Sequence, residues 1–279
     1  MHKKYSEKQQ LFVFIILTFA LSYALEFYII FNGGVKSLSS GFALIIGLMW
    51  IPGVVALFVS KFLSKSWSHM GFKKLGGRAL LLAFFIPLVL AFISYYICAL
   101  LDIREFGLTA GIPIKKILIN LILVFIIGGI SALGEEIGWR GFLQPKVISI
   151  GWKYPALYTG LIWALWHLPL VAFGGYYENQ NPFVTMVTYT LAILAFNYFI
   201  FWLREVTKSV WVATMAHTSY NFFFQTFWLL LLFRKESSNI EYWNLLGGDT
   251  GLIPAALFAV LVIVIKKFNK QINHYYNVG

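Results

Sequence analysis

Two adjacent carboxylates, Glu135 and Glu136, and an arginine, Arg140, stand in the stretch Ser131 to Pro145, SALGEEIGWRGFLQP, directly after a run of apolar residues. On a helix, Glu136 and Arg140 at i,i+4 share a face and reach each other. Glu135 points about 100° away around the axis and is the carboxylate left for chemistry. Ionised side chains inside a bilayer are costly and mostly face a bundle interior or a wet cavity, so such a cluster reads first as a functional site. The bland alternative is an ordinary ion pair at a helix end, since structural pairs also occur at such depths.

The same chain carries two histidines inside apolar runs. His167 sits in GLIWALWHLPLVAF and His217 in VWVATMAHTSYNFFF. His217 and Asn221 are four residues apart and share a helix face, as do Trp163 and His167. Either histidine alone reads as an interhelical hydrogen-bond donor worth on the order of 1 kcal/mol. Together with the carboxylates they supply what hydrolysis needs: a base to activate water, and donors for a developing oxyanion. The same atoms, Glu135, His167 and His217, also suit a zinc shell with an open position, although no HExxH is present and the ligands would come from separate helices.

The elements that must position these groups are membrane helices. The 279 residues are 59% hydrophobic, 19% aromatic and only 12% charged, with a mean hydropathy of +0.76; this is an all-α polytopic membrane protein rather than a soluble domain. Apolar runs at Leu11–Phe31, Phe42–Ser60, Ala79–Leu101, Ile117 to about Phe142, Tyr154–Phe173, Phe183–Trp202, Val210–Phe233 and Leu252–Ile265 predict about eight spans. The fourth exceeds what a bilayer needs, and a kink is expected around Gly128 and Gly129. Gly134 and Gly138 have the small-xxx-small spacing that lets helices approach closely in lipid. Residues 1–279 read as one integral-membrane domain, with no repeat or linker.

The net charge of +11 does not signal nucleic acid, because the basic residues sit in short loops between spans. With the N-terminus in the cytoplasm, all but Lys36, Arg104, Lys115, Lys116, Arg234 and Lys235 of the 22 basic residues fall inside, and eight spans return the C-terminus to the same side. The loop Gly174 to Pro182 has no basic residue and falls outside. The N-terminal run, preceded by Lys3, Lys4 and Lys8, is too long for a signal peptide and reads as the first span. His2, His69 and His274 read as solvated. Cys98 is the single cysteine, so no disulfide or thiolate metal site forms within the chain. Trp139, Trp152, Trp163, Trp166 and Trp211 read as an interfacial belt rather than a groove lining, and Glu26 as a carboxylate near the external interface.

Three motifs carry a resemblance. Glu135-Glu136 to Arg140 (EExxxR), Trp163 to His167 (WALWH) and His217 to Asn221 (HTSYN) resemble, in order and kind, those of the CPBP or Abi membrane proteins, which include the type II CAAX prenyl endopeptidases. The resemblance covers a core of about 117–223. It implies an eight-helix intramembrane endopeptidase of the cell membrane, with its site opening toward the cytoplasm. Glu135 and His167 would activate water, Glu136 and Arg140 would orient the motif, and His217 and Asn221 would stabilise the tetrahedral intermediate. Zn2+ and metal-free mechanisms both stand. The partners implied are the bilayer and a peptide or lipidated protein, prenylated CaaX-type or bacteriocin-related, and no nucleic acid. Trp163 departs from the family's usual phenylalanine but keeps an aromatic beside His167. A different class also stands: a non-catalytic immunity or scaffold protein that binds a toxin or partner.

Overall fold

A computed structural model describes residues 5–105, 107, 113–174, 181–231 and 240–268. His2, His274, the basic residues Lys3, Lys4, Arg234, Lys235 and Lys270, most of the loop before Pro182 and the end of the Val210–Phe233 run lie outside the described residues. The helices are α1 (Glu7–Phe31), α2 (Gly41–Val59), α3 (Ala79–Leu100), α4 (Ile114–Glu136), α5 (Gln144–Ser149), α6 (Pro155–Phe173), α7 (Pro182–Thr207), α8 (Val210–Phe222), α9 (Trp228–Leu231), α10 (Ile240–Leu246) and α11 (Leu252–Phe268). No strand occurs among the described residues. Six helical segments are long and apolar enough to cross a membrane, and the chain is a multi-pass membrane protein. The runs expected as the seventh and eighth spans are helical, as α8 continued by π turns through α9 and as the 17-residue α11, but they are not among those six described segments.

Capping fixes the helix starts. Ser6 and Gln9 form a reciprocal capping box on α1, and Asn181 and Ser209 accept from the first-turn amides of α7 and α8, satisfying donors that have no intrahelical partner. In lipid the apolar outer faces carry no burial drive, so the packing seams decide the architecture. The clearest seam lies between α2 and α4. A Cβ on Gly53 would come within 2.4 Å of the Gly134 carbonyl, and one on Gly138 within 2.4 Å of Pro52 Cβ. The expected Gly134/Gly138 close approach is thus made, against α2.

The long fourth helix differs from expectation in where it is irregular. It runs unbroken through Gly128 and Gly129, and a Cβ on Gly128 would meet nothing within 4 Å. The backbone instead widens into a π helix over Ile137–Leu143 before α5, giving one helical segment from Ile114 to Ser149. Glycine alone does not kink a helix whose ladder stays intact; the i→i+5 widening falls where the polar side chains must be aimed, as π turns at functional sites do. Arg140, counted from sequence among cytoplasmic loop charges, is only 1% exposed inside the bundle.

Candidate active site

Glu135 and Glu136 end α4 at the mouth of the π turn, and both are buried. The pair divides as its spacing implies. Glu136 Oε1 accepts from Arg140 Nη1 at 3.0 Å and lies 2.8 Å from His217 Nδ1. Glu135 Oε2 accepts from two indoles, Trp163 Nε1 at 2.7 Å and Trp139 Nε1 at 3.2 Å. Glu135 Oε1 has no hydrogen-bond partner. Each carboxylate bonds through one oxygen and leaves the other without a partner; Glu136 is tied to a guanidinium and an imidazole, whereas Glu135 is held by neutral indoles and lines the cavity.

Arg140 is itself held from three sides. Its Nη2 donates to Asn197 Oδ1 at 3.0 Å, its guanidinium lies 4.1 Å from the Trp163 ring, and its carbonyl accepts from Arg204 Nε. Asn197 in turn donates to the Ala156 carbonyl at 2.6 Å, locking α7 against α6. A Cβ at Gly160 would press to 2.9 Å from Asn197 Nδ2, so the close α6–α7 approach depends on that glycine. A buried guanidinium with this many acceptors is stabilised rather than stranded.

The six residues singled out from sequence do come together. Glu135, Trp163, Trp166, His167, His217 and Asn221 line one cavity of about 960 Å³, while Glu136 and Arg140 stand behind its wall in contact with His217 and Trp163. His217 is 5.2 Å from Trp163, centroid to centroid, and His167 6.4 Å from the same ring. With Nδ1 turned to the Glu136 carboxylate, His217 keeps Nε2 for the cavity it lines. The fourth helix extends past Glu135, which sets the carboxylates inside the bundle, as a shared site requires.

Several expectations are corrected here. Trp139, Trp163 and Trp166 are 1%, 1% and 0% exposed; they belong to the site, not to an interfacial belt. Trp163 does more than preserve an aromatic, because its N–H donates to Glu135, which a phenylalanine could not do. Glu26 is fully buried and faces the bundle, not the interface. The cavity reaches Val35, Lys36, Arg104, Asp249 and Thr250, at the end of the bundle opposite the N-terminus of α1.

Asn197 was not expected, and neither were the indole donors. A single asparagine in an apolar run, and tryptophans in a tryptophan-rich chain, carry no spacing signal. Among the described residues no group of three or more His, Cys, Asp and Glu side chains could hold a metal ion. Glu135, His167 and His217 share the cavity wall but do not form such a group.

Residues 115–223 match the family model described as Type II CAAX prenyl endopeptidase Rce1-like, a span that holds all three motifs. The chain is also similar to CAAX prenyl protease 2 of Methanococcus maripaludis, at 25% identity over 234 residues, covering 77% of this chain and 82% of the relative. Family model and relative point the same way: the chain is a multi-pass membrane protein similar to type II CAAX prenyl endopeptidases.

Proposed function

We propose that this protein is an intramembrane endopeptidase that hydrolyses a peptide bond of a membrane-associated substrate, with Glu135 as general base. The observation that carries the reading is the state of Glu135: Oε2 is fixed by two indole N–H groups while Oε1, buried and without a partner, belongs to a cavity that also holds His217, His167 and Asn221. A water on Oε1 gives its proton to Glu135 as its oxygen bonds to the scissile carbonyl carbon. Asn221 and His167 on the same wall donate to the oxyanion, and His217 Nε2 accepts from the attacking water. The proton then passes to the departing nitrogen, the C–N bond breaks, and an acid and an amine result. Glu136, held by Arg140, fixes the His217 tautomer and orientation, as a carboxylate behind a catalytic imidazole does. The protein's own residues perform each of these steps, and no step is routed through zinc.

The cavity suits a lipid-flanked substrate, since most of its lining is aliphatic or aromatic. Together with the similarity to a CAAX prenyl protease, this favours a C-terminal, lipidated peptide over a soluble one. Cleavage of prenylated and unprenylated peptides in detergent or liposomes tests the reading, with wild type, Glu135→Ala and His217→Ala, each with and without chelator. Cleavage by the wild type, lost in both variants and insensitive to chelator, is expected. Cleavage that persists in both variants would remove the proposed site, and a loss to chelator restored by zinc would overturn the metal-free route. The scaffold reading requires no free carboxylate facing the cavity and would be favoured only if both variants kept the protein's cellular phenotype.

A further inference from the structure

Residues 60–78, SKFLSKSWSHMGFKKLGGR, lead from α2 to α3 and contain five cations and no Asp or Glu. Lys61, Lys65, Lys73, Lys74 and Arg78 are all exposed. Other cations at this end of the bundle are matched: Lys146 pairs with Glu7 and Lys208 with Glu205. Among the described residues none of the five takes part in an ion pair. Between them stand three large apolar side chains that are also exposed, Phe62, Trp67 and Leu75. The segment joins two membrane-spanning stretches, Gly41–Ser64 and Ala79–Leu100, and therefore sits where the bilayer meets water. Cations interleaved with apolar side chains at that depth face lipid headgroups.

The same segment is fastened from behind to the elements that carry the candidate site. Arg204 of α7 donates Nη2 to the His69 carbonyl at 2.7 Å and Nε to the Arg140 carbonyl at 3.0 Å. The Gly71 carbonyl accepts from the Val210 amide at 3.3 Å, and the Phe72 carbonyl from Trp211 Nε1 at 2.9 Å. Gly71 itself has φ +82°, and a Cβ there would stand 2.7 Å from the Lys208 carbonyl, so the approach to the start of α8 needs glycine. Met70 is fully buried, and its carbonyl would lie 3.5 Å from a Cβ on Gly141, inside the π turn. One side of the segment thus grips the turn that holds Arg140 and the first turn of α8, two turns before His217. The other side presents the five cations.

We propose that residues 60–78 form a binding surface for anionic lipid headgroups, and that headgroups bound there steady the π turn and the start of α8. Five cations without a carboxylate among them repel one another, and a phosphate shared between neighbours removes that repulsion. A zwitterionic headgroup brings its own ammonium and offsets the gain. Each contact is weak alone and screened by salt, but several act together on one short segment. Phe62, Trp67 and Leu75 add contact with the acyl boundary that a free phosphate ion lacks. The lipid surface stands apart from the proposed peptidase activity; its effect on turnover rests on that reading.

Native mass spectrometry of the full chain in detergent, offered phosphatidylglycerol or phosphatidylcholine, tests the surface without any substrate. The wild type is expected to bind phosphatidylglycerol about tenfold more tightly, and high salt to abolish the preference. Changing Lys61, Lys65, Lys73, Lys74 and Arg78 together to Gln abolishes it at low salt, whereas Lys115→Gln with Lys116→Gln, exposed cations at the start of α4, leaves it intact. Phosphatidylglycerol raises Tm in the wild type and not in the five-site variant. A five-site variant that keeps the preference would overturn the proposal, as would equal loss in the Lys115/Lys116 variant, which would mark an effect of net charge alone. Inorganic phosphate raising Tm as far as the lipid does would assign the segment to a soluble anion, and a lipid preference without a rise in Tm would overturn the steadying role. In liposomes kcat should rise with the phosphatidylglycerol fraction for the wild type and stay flat for the five-site variant. The expected binding with no cleavage of any peptide by the wild type would leave the lipid surface standing and remove the peptidase reading.

Discussion

Two buried carboxylates, one in each half of the bundle, are treated in opposite ways. Glu136 meets a guanidinium and an imidazole at 3.0 and 2.8 Å, within a network extended by Asn197. Glu26, equally buried, has neither oxygen bonded. The first arrangement fixes geometry: it sets Arg140 under Trp163 and His217 against the cavity. The second has only the Leu170 backbone beside it. Glu135 differs from both: its bonded oxygen is held by neutral indole N–H groups rather than by a cation, and of the three it is the one that lines the cavity, as a base that must take up and release a proton requires.

The largest effect should come from breaking the paired side. Arg140→Met strands Glu136 in the bundle interior, and a loss of about 3–5 kcal/mol is expected, read as a fall in thermal stability together with loss of activity. Asn197→Leu removes one acceptor from Arg140 and one donor from Ala156, with an expected cost of about 1–3 kcal/mol in the same assay. The clamp on Glu135 can be sharpened by Trp163→Phe. It keeps the ring under Arg140 but removes the N–H, so kcat should fall about tenfold with stability nearly unchanged; a full rate would show that the indole donor is dispensable. Gly138→Ala probes the scaffold alone, and its Cβ would have to displace Pro52, costing about 1–3 kcal/mol. Lys146→Met removes a buried donor from Gln10 as well as the partner of Glu7, with an expected cost of about 1–3 kcal/mol in the same assay.

Much of this was legible in the sequence, because lipid forces backbone polar groups into helices and leaves hydropathy to mark them. The i,i+4 spacing of Glu136 and Arg140 announced their pair, and the Gly134/Gly138 spacing announced the α2 contact. The π turn was not legible, since widening a helix by one residue over Ile137–Leu143 changes no residue type. Asn197 was hidden because its partner lies 57 residues away. Trp139, Trp163 and Trp166 were misplaced because a tryptophan that anchors at an interface and one that donates to a buried carboxylate look alike in one dimension. Thr18, Ser22 and Glu26 stand four apart on α1, but which face of that helix turned inward only packing could decide. The opening of the cavity toward Lys36 and Arg104 also depends on packing. Thiol labelling from either side of the membrane, with cysteine at Lys36 in a Cys98→Ala background, assigns that end to one compartment.

The central claim concerns which carboxylate does the chemistry, and cleavage by Glu135→Gln tests it most directly. Glutamine keeps the shape and still accepts from Trp163 and Trp139, so the account predicts a folded protein that binds peptide with wild-type affinity and cleaves it about 10³-fold or more slowly. Cleavage at a rate near that of the wild type would contradict it.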